Sequence, residues 1–334
     1  VKSLSIMKIL FFLLVAVAAC PAQTTGGVPK PPWAKSSESK PSESKSASSS
    51  ADANGSTIKV DVKLVNVFVT VTDERGAPVA NLIKENFQLF EDDRLQKISI
   101  FDRESELPLS IVLDIDTSLS TRKDLLLELN SARRFAHAIL RPVDALSLYE
   151  FSETVDEVVP FTADLKTIDR GIDRLHPGAA TALYDAVYLG AGALEARHGR
   201  KVMVVITDGG DTVSKMDYQQ ALRAAQISEA IIYSIIVVPI EASAGRDTGG
   251  EHALIQLSED TGGKYYYATS LAQLDQAFKN ISDELRTQYL LAYYPSQRLA
   301  DSDFRRIEVK LSSVPNSDDY KTRHRTGYYT SKSH

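Results

Sequence analysis

The chain has 334 residues, with 38 Lys and Arg against 44 Asp and Glu, a formal charge of −6 and a pI near 5.6. This acidic balance leaves no basic footprint for a phosphate backbone, so nucleic-acid binding is disfavoured. Hydrophobic residues make up 43% of the chain, as in an ordinary globular protein, and about 280 residues remain beyond the N-terminal segments described next, enough for two domains.

Lys2 and Lys8 precede the apolar run Ile9 to Val17, the charged-then-apolar order of a secretory signal. The run is too short to span a bilayer. It is followed by Val17-Ala18-Ala19-Cys20, which resembles a bacterial lipobox. Cys20 is the only cysteine, whereas exported chains ordinarily pair their cysteines or have none. A single cysteine at a processing boundary fits lipidation of Cys20, with residues 1–20 as the signal segment. Cleavage after Ala22, discarding Cys20, is the alternative. Residues 21–55 are rich in Ser, Lys, Pro and Ala and bury too little apolar surface to offset their ordering entropy. They read as a tether, with Trp33 an exposed aromatic inside it. The expected location is the cell envelope, periplasmic or at the cell surface, with a lipid anchor at Cys20 as the membrane attachment.

From Ser56 the pattern is β. Ile58, Val60, Val62 and Leu64 alternate, and Val65, Val67, Val69 and Val71 alternate in the opposite phase. A one-residue phase change sends side chains to the other face unless a bulge absorbs it, so a bulge or bend is expected near Leu64-Val65. Asp92-Asp93 is expected to turn a hairpin between the runs Phe87-Leu89 and Ile98-Ile100. About four strands are expected before Leu107, in a segment taken as 56–105.

Residues 107–286 alternate strand and helix signals as a doubly wound, mostly parallel α/β sheet with flanking helices requires. Strands are expected near 109–116, 145–151, 156–161, 201–207, 230–238 and 263–267. Leu125, Leu126, Leu129, Ala132, Phe135, Ala136 and Ile139 recur at helical spacing within an expected helix 121–140. The pair 145–151 and 156–161 reads as a hairpin supplying an antiparallel edge. The loop Ser243 to Gly250, rich in permissive residues, is expected to border the binding face.

After Arg286 the β pattern returns through residues 287–330. Too few strands lie on either side of the α/β segment to form a covered sandwich alone, and together they make about seven. The α/β domain is therefore expected to be inserted in a β-sandwich formed by the N-terminal and C-terminal strands.

Three loops of the α/β segment carry the chemistry. Asp116-Thr117-Ser118-Leu119-Ser120 follows the apolar run Leu109 to Leu113, Thr181 opens a helical pattern after Gly178-Ala179-Ala180, and Asp208 ends the run Val202 to Thr207 before Gly209-Gly210-Asp211. In open parallel sheets, ligands collect at the carboxyl ends of the strands, where all three lie. Carboxylate and hydroxyl oxygens are hard ligands that suit Mg²⁺. Each segment alone also reads as a helix N-cap. In combination, Asp-x-Ser-x-Ser, a later Thr and an Asp-Gly after a buried strand resemble the metal-ion-dependent adhesion site of von Willebrand factor type A (VWA) domains. The whole arrangement also resembles exported bacterial proteins described as von Willebrand factor A-related, many from Acidobacteria. The resemblance implies that Asp116, Ser118, Ser120, Thr181 and Asp208 hold Mg²⁺, with Mn²⁺ or Ca²⁺ as substitutes, and that an acidic side chain of a protein partner completes the coordination. Leu119 departs from the family pattern, where Gly is common, and narrows the loop's backbone options.

Asp114 lies on the same strand face as Asp116 and is read as structural, either paired with a cationic side chain or solvated at the strand end. Asp185 is read equally as a helix-end acid or as an orienter of the metal shell, and Asp211 as a loop-shaping residue. No His falls in the three loops, and no nucleophile elbow, phosphate-binding loop or His-Glu-x-x-His motif occurs. The expected function is thus non-enzymatic: an envelope-displayed, cation-dependent protein-binding or adhesion module. The alternative is an envelope scaffold whose metal site is degenerate or purely stabilising.

Overall fold

A computed structural model of the chain describes residues 64–103, 106–118, 125–238, 248–296, 304–314 and 317–330. The expected leader, Cys20, the tether with Trp33, the alternation from Ile58 to Val62, Leu119, Ser120 and residues 239–247 lie outside the described residues.

Three sheets organise the described chain. The central one contains β5 (Leu109–Asp116), β6 (Ala145–Phe151), β7 (Val155–Thr162), β8 (Arg200–Thr207), β9 (Ile231–Val237) and β10 (Tyr265–Ala268), in the order β10-β9-β8-β5-β6-β7. All neighbours are parallel except β6 and β7. Every residue of β5 is buried, as expected of a strand covered on both faces. Its Leu109, Ile111, Leu113 and Ile115 pack with α1 (Leu125–Ile139), α2 (Leu165–Ile172) and α6 (Leu271–Thr287). Val112, on the opposite face, packs with α3 (Leu183–Glu195), α4 (Tyr218–Ser228) and α5 (Thr248–Thr261). The sheet is thus doubly wound, with helices on both faces.

Two further four-stranded sheets enclose a separate core of Val65, Val67, Val69, Leu89, Leu291, Ile307 and Val309, among others. One sheet has β1 (Val65–Thr72), β4 (Ile98–Arg103), β11 (Tyr289–Tyr293) and β13 (Lys321–Arg323); the other has β2 (Phe87–Glu91), β3 (Arg94–Gln96), β12 (Phe304–Leu311) and β14 (Gly327–Tyr329). Strands from before and after the α/β segment interleave: β1 and β4 both flank β11, and β2 pairs with β12. Inside this core the buried Glu91 carboxylate accepts the hydroxyls of Tyr293 at 2.6 Å and Tyr328 at 2.8 Å, linking the two sheets.

The Asp92-Asp93 turn forms, with φ of 46° and 64°, but it joins β2 to β3 and not to the run at Ile98. The chain crosses at Lys97 to the other sheet, where β4 pairs with β11. Residues 94–103 are therefore split between two sheets, which raises the expected count of about seven strands to eight among the described residues.

The sandwich is joined to the α/β layer at the amino ends of the central strands. Arg323 of β13 reaches the buried Glu284 of α6 at 2.7 Å and donates to the Gly263 carbonyl at 2.7 Å, just before β10. Arg325 lies 3.7 Å from the Glu229 carboxylate just before β9, and Gln288 donates to the Tyr233 hydroxyl of β9 at 3.5 Å and to Thr70 of β1 at 3.2 Å. Gly262, with φ of +84°, closes this contact because a Cβ there would lie 2.5 Å from the Arg325 nitrogen.

Candidate functional site

Asp116 is the last residue of β5 and is fully buried. One carboxylate oxygen accepts the Ser118 N–H at 2.8 Å, the short loop bond expected of an Asp at a strand-to-helix turn. The other accepts the Thr207 hydroxyl at 2.6 Å, from the end of the adjacent β8. Thr207 in turn accepts the Gly209 N–H at 3.2 Å, which holds the start of the Asp208 loop against the strand end. Burial pushes the Asp116 carboxyl up to about 6 and the nearby charge of Asp208 adds to the rise, against the lowering bonds from Thr207 and Ser118. Asp116 and Ser118 at the end of β5 and Asp208 just after β8 therefore lie at the carboxyl ends of two adjacent parallel strands.

The Thr181 loop is fastened to both of these. Gly178 donates its N–H to the Thr117 carbonyl at 2.7 Å, and Thr117 donates to the Phe151 carbonyl at 2.9 Å. The β6–β7 turn supports the same loop: Glu150 accepts the His176 N–H at 3.0 Å and Glu153 accepts the Ala179 N–H at 2.7 Å. That bond to Ala179 holds the Glu153 carboxyl below its usual range. On the other side Thr181 accepts the Thr212 N–H at 2.8 Å and donates its own N–H to the Thr212 hydroxyl at 2.9 Å. The three loops that carry Asp116 and Ser118, Thr181, and Asp208 are thus hydrogen-bonded to one another. Ser120, the remaining expected ligand, lies outside the described residues.

Asp114 differs from its expected setting. It has neither a cationic partner nor solvent: it is fully buried and neither carboxylate oxygen has a hydrogen-bond partner. It sits beneath α3, where a Cβ on Gly190 would come within 3.4 Å of it. Burial pushes its pKa well above the usual carboxylate range. Asp185, in the first turn of α3, accepts the N–H groups of Lys215 and Met216 at 3.0 and 2.8 Å. Asp211 accepts the N–H groups of Tyr184 and Ser214, both at 3.3 Å, in keeping with its loop-shaping role.

Thr207, Thr212 and Ser214 are the residues that sequence reasoning passed over. Thr207 left one signal, a hydroxyl closing an otherwise apolar buried strand, while the other two act across loops far apart in sequence. The donors at this edge are oxygens of the kind a hard cation takes. Among the described residues no group of three or more His, Cys, Asp or Glu side chains gathers as a metal cluster, at this edge or elsewhere.

Comparison with solved structures returns matches at low identity. BatB, a conserved hypothetical protein from Bacteroides thetaiotaomicron, is 19% identical with a TM-score of 0.43, covering 54% of this chain and 100% of its own. A protein titled von Willebrand factor type A from Catenulispora acidiphila is 12% identical with a TM-score of 0.48, covering 77% and 72% respectively. The vWF domain of the type V pili tip protein Mfa5 from Porphyromonas gingivalis is 12% identical with a TM-score of 0.42, covering 53% and 94%. The search of curated proteins found no match. The stretch that carries Asp116, Ser118, Thr181 and Asp208, residues 111–210, matches the family model for the von Willebrand factor type A domain, and the doubly wound, mostly parallel sheet in which it lies is a fold of that kind.

Proposed function

We propose that this protein is a non-enzymatic, divalent-cation-dependent protein-binding module, exported and displayed from the cell envelope. The observation that carries this reading is the placement of Asp116, Ser118 and Asp208 at one sheet edge, with the Thr181 loop bonded to both flanking loops. The donor set fits a hard ion such as Mg²⁺, being all oxygen with two carboxylates and neutral hydroxyls. A cation would also offset the burial and the Asp208 repulsion that raise the Asp116 carboxyl.

Asp116, Ser118, Thr181 and Asp208 would hold the ion, with Ser120 completing the first loop. The ion supplies an electrophilic position for an acidic side chain of the partner. Thr207 and the Ser118 N–H keep the Asp116 carboxylate oriented before the ion arrives, so little ordering is left to be done on binding.

The test is a thermal-melt titration of the protein with Mg²⁺, Mn²⁺ and Ca²⁺ against EDTA, beside Asp116→Ala. A ligand that binds only the native state raises its stability. The wild type is expected to gain melting temperature with Mg²⁺ or Mn²⁺ and the variant to show no gain. Equal indifference of both proteins to millimolar ion would favour the scaffold reading with a degenerate site.

A further inference from the structure

The start of α3 lacks a cap of its own. Ala182 stands at the N-cap and makes no side-chain bond, which leaves first-turn N–H groups needing outside acceptors. Residues 211–214 supply them from another loop. The Thr181 N–H goes to the Thr212 hydroxyl at 2.9 Å, the Tyr184 N–H to Asp211 at 3.3 Å and the Asp185 N–H to the Ser214 hydroxyl at 3.0 Å. Ser214 donates that hydroxyl's proton to Asp211, so the two caps are coupled. The helix then returns the favour: Asp185 accepts the N–H groups of Lys215 at 3.0 Å and Met216 at 2.8 Å.

We infer that these two segments form one reciprocally capped joint that holds the Thr181 loop and the Asp208 loop as a single block, with Asp185 and Asp211 as positioning residues for the ion site. The functional half of this inference rests on the proposed metal reading; the joint itself does not. Asp185 accepts two N–H groups and Asp211 one from the segment opposite its own, so loss of either carboxylate is felt on both sides. The loop bearing Asp116 and Ser118 is not part of the block and meets it through the Gly178 to Thr117 backbone bond and through the Thr207 hydroxyl on Asp116.

The test compares the full chain with Asp185→Asn and Asp211→Asn by residue-resolved amide hydrogen exchange in EDTA. A joint that opens as a unit gives faster exchange in both variants at Thr181 and Thr212, whose own acceptors are untouched. Asp185→Asn is expected to release Tyr184, and Asp211→Asn to release Lys215 and Met216, each by about tenfold or more. Faster exchange confined to the amides bonded directly to the altered side chain would overturn the inference. In parallel, Mn²⁺ titration should show affinity weakened about 10- to 100-fold in both variants, as when supporting contacts of a metal shell are lost. Ile307→Val in the sandwich core, a destabilising control away from the joint, should leave Mn²⁺ affinity unchanged. Unaltered Mn²⁺ affinity in Asp185→Asn and Asp211→Asn would remove their positioning role. A wild type that takes up no Mn²⁺ sinks the metal reading, and the exchange experiment still decides the joint.

Discussion

Two buried aspartates in the α/β layer show how setting decides what a carboxyl group does to stability. Asp144 has its carboxylate held by the Arg141 guanidinium at 2.9 Å and by the N–H groups of Leu109 at 2.8 Å and Arg141 at 2.9 Å. Burial alone would raise its pKa, but those bonds hold it below the usual value. A carboxyl with a lowered folded pKa adds stability above its unfolded pKa, near 3.9, and loses that contribution as pH falls through the folded value. Asp144→Asn should therefore cost about 2 kcal/mol at pH 7 and much less near pH 3, read by urea denaturation at the two pH values. Asp114 is the reverse case, since it has no partner and its pKa is pushed up by burial. Above pH 4 the unfolded chain gives up this proton while the folded chain retains it, so stability falls as pH rises. Asp114→Asn removes that dependence. Melts in EDTA should show the variant gaining on the wild type by up to about 1.4 kcal/mol per pH unit above pH 4, and a gap that stays constant with pH would contradict the assignment.

At the scale of elements, legibility followed burial. The central strands were readable because a strand covered on both faces must be a short continuous apolar run, and β5 and β8 are such runs with polar residues at their ends. Asp116, Thr181 and Asp208 were readable for the same reason, since each stands where a buried run or a glycine-marked loop gives way to a helix. Residues 94–103 were not. Alternation tells which side chains face inward but not which of two sheets a strand joins, so the crossing at Lys97 left no trace in the pattern. The contacts of Thr212 and Ser214 were hidden too, because a hydroxyl capping a distant loop has no period. The Asp92-Asp93 turn tests its own geometry. Asp93 is highly exposed and has φ of 64°, where a Cβ is unfavourable and glycine is not. Asp93→Gly should be more stable than Asp93→Ala by about 1 kcal/mol in chemical denaturation. Equal midpoints would mean that the turn relaxes out of this conformation.

For the whole molecule, the candidate site and the sandwich occupy opposite ends of the central sheet. The site collects at the carboxyl ends of β5 and β8, whereas Arg323, Arg325 and Gln288 reach Gly263, Glu229 and Tyr233 on the sandwich side of the sheet. Eight residues of β5 separate the two poles, about 26 Å of strand. Glu284 is the centre of the junction: it is buried, pairs with Arg323 at 2.7 Å and accepts the Tyr266 hydroxyl at 3.1 Å. Arg323→Ala strands this buried carboxylate and should cost about 3–5 kcal/mol. The double variant with Glu284→Gln should recover part of that loss, and strict additivity of the two changes would show that the pair is uncoupled.

The interleaving of strands from both sides of the inserted segment also sets a timetable for the chain. Val65 of β1 finds its partner in Tyr293 of β11. On a ribosome, that partner emerges on the order of 200 residues later, tens of seconds at ordinary synthesis rates. Until then β1 and β4 have unpaired edges on the side that β11 will fill, the condition in which strands pair with the wrong chain. The α/β segment has its own two cores and can bury them without the sandwich. Its first strand and its last helix both meet the sandwich at the same pole, so its folding carries β11 to the waiting gap between β1 and β4.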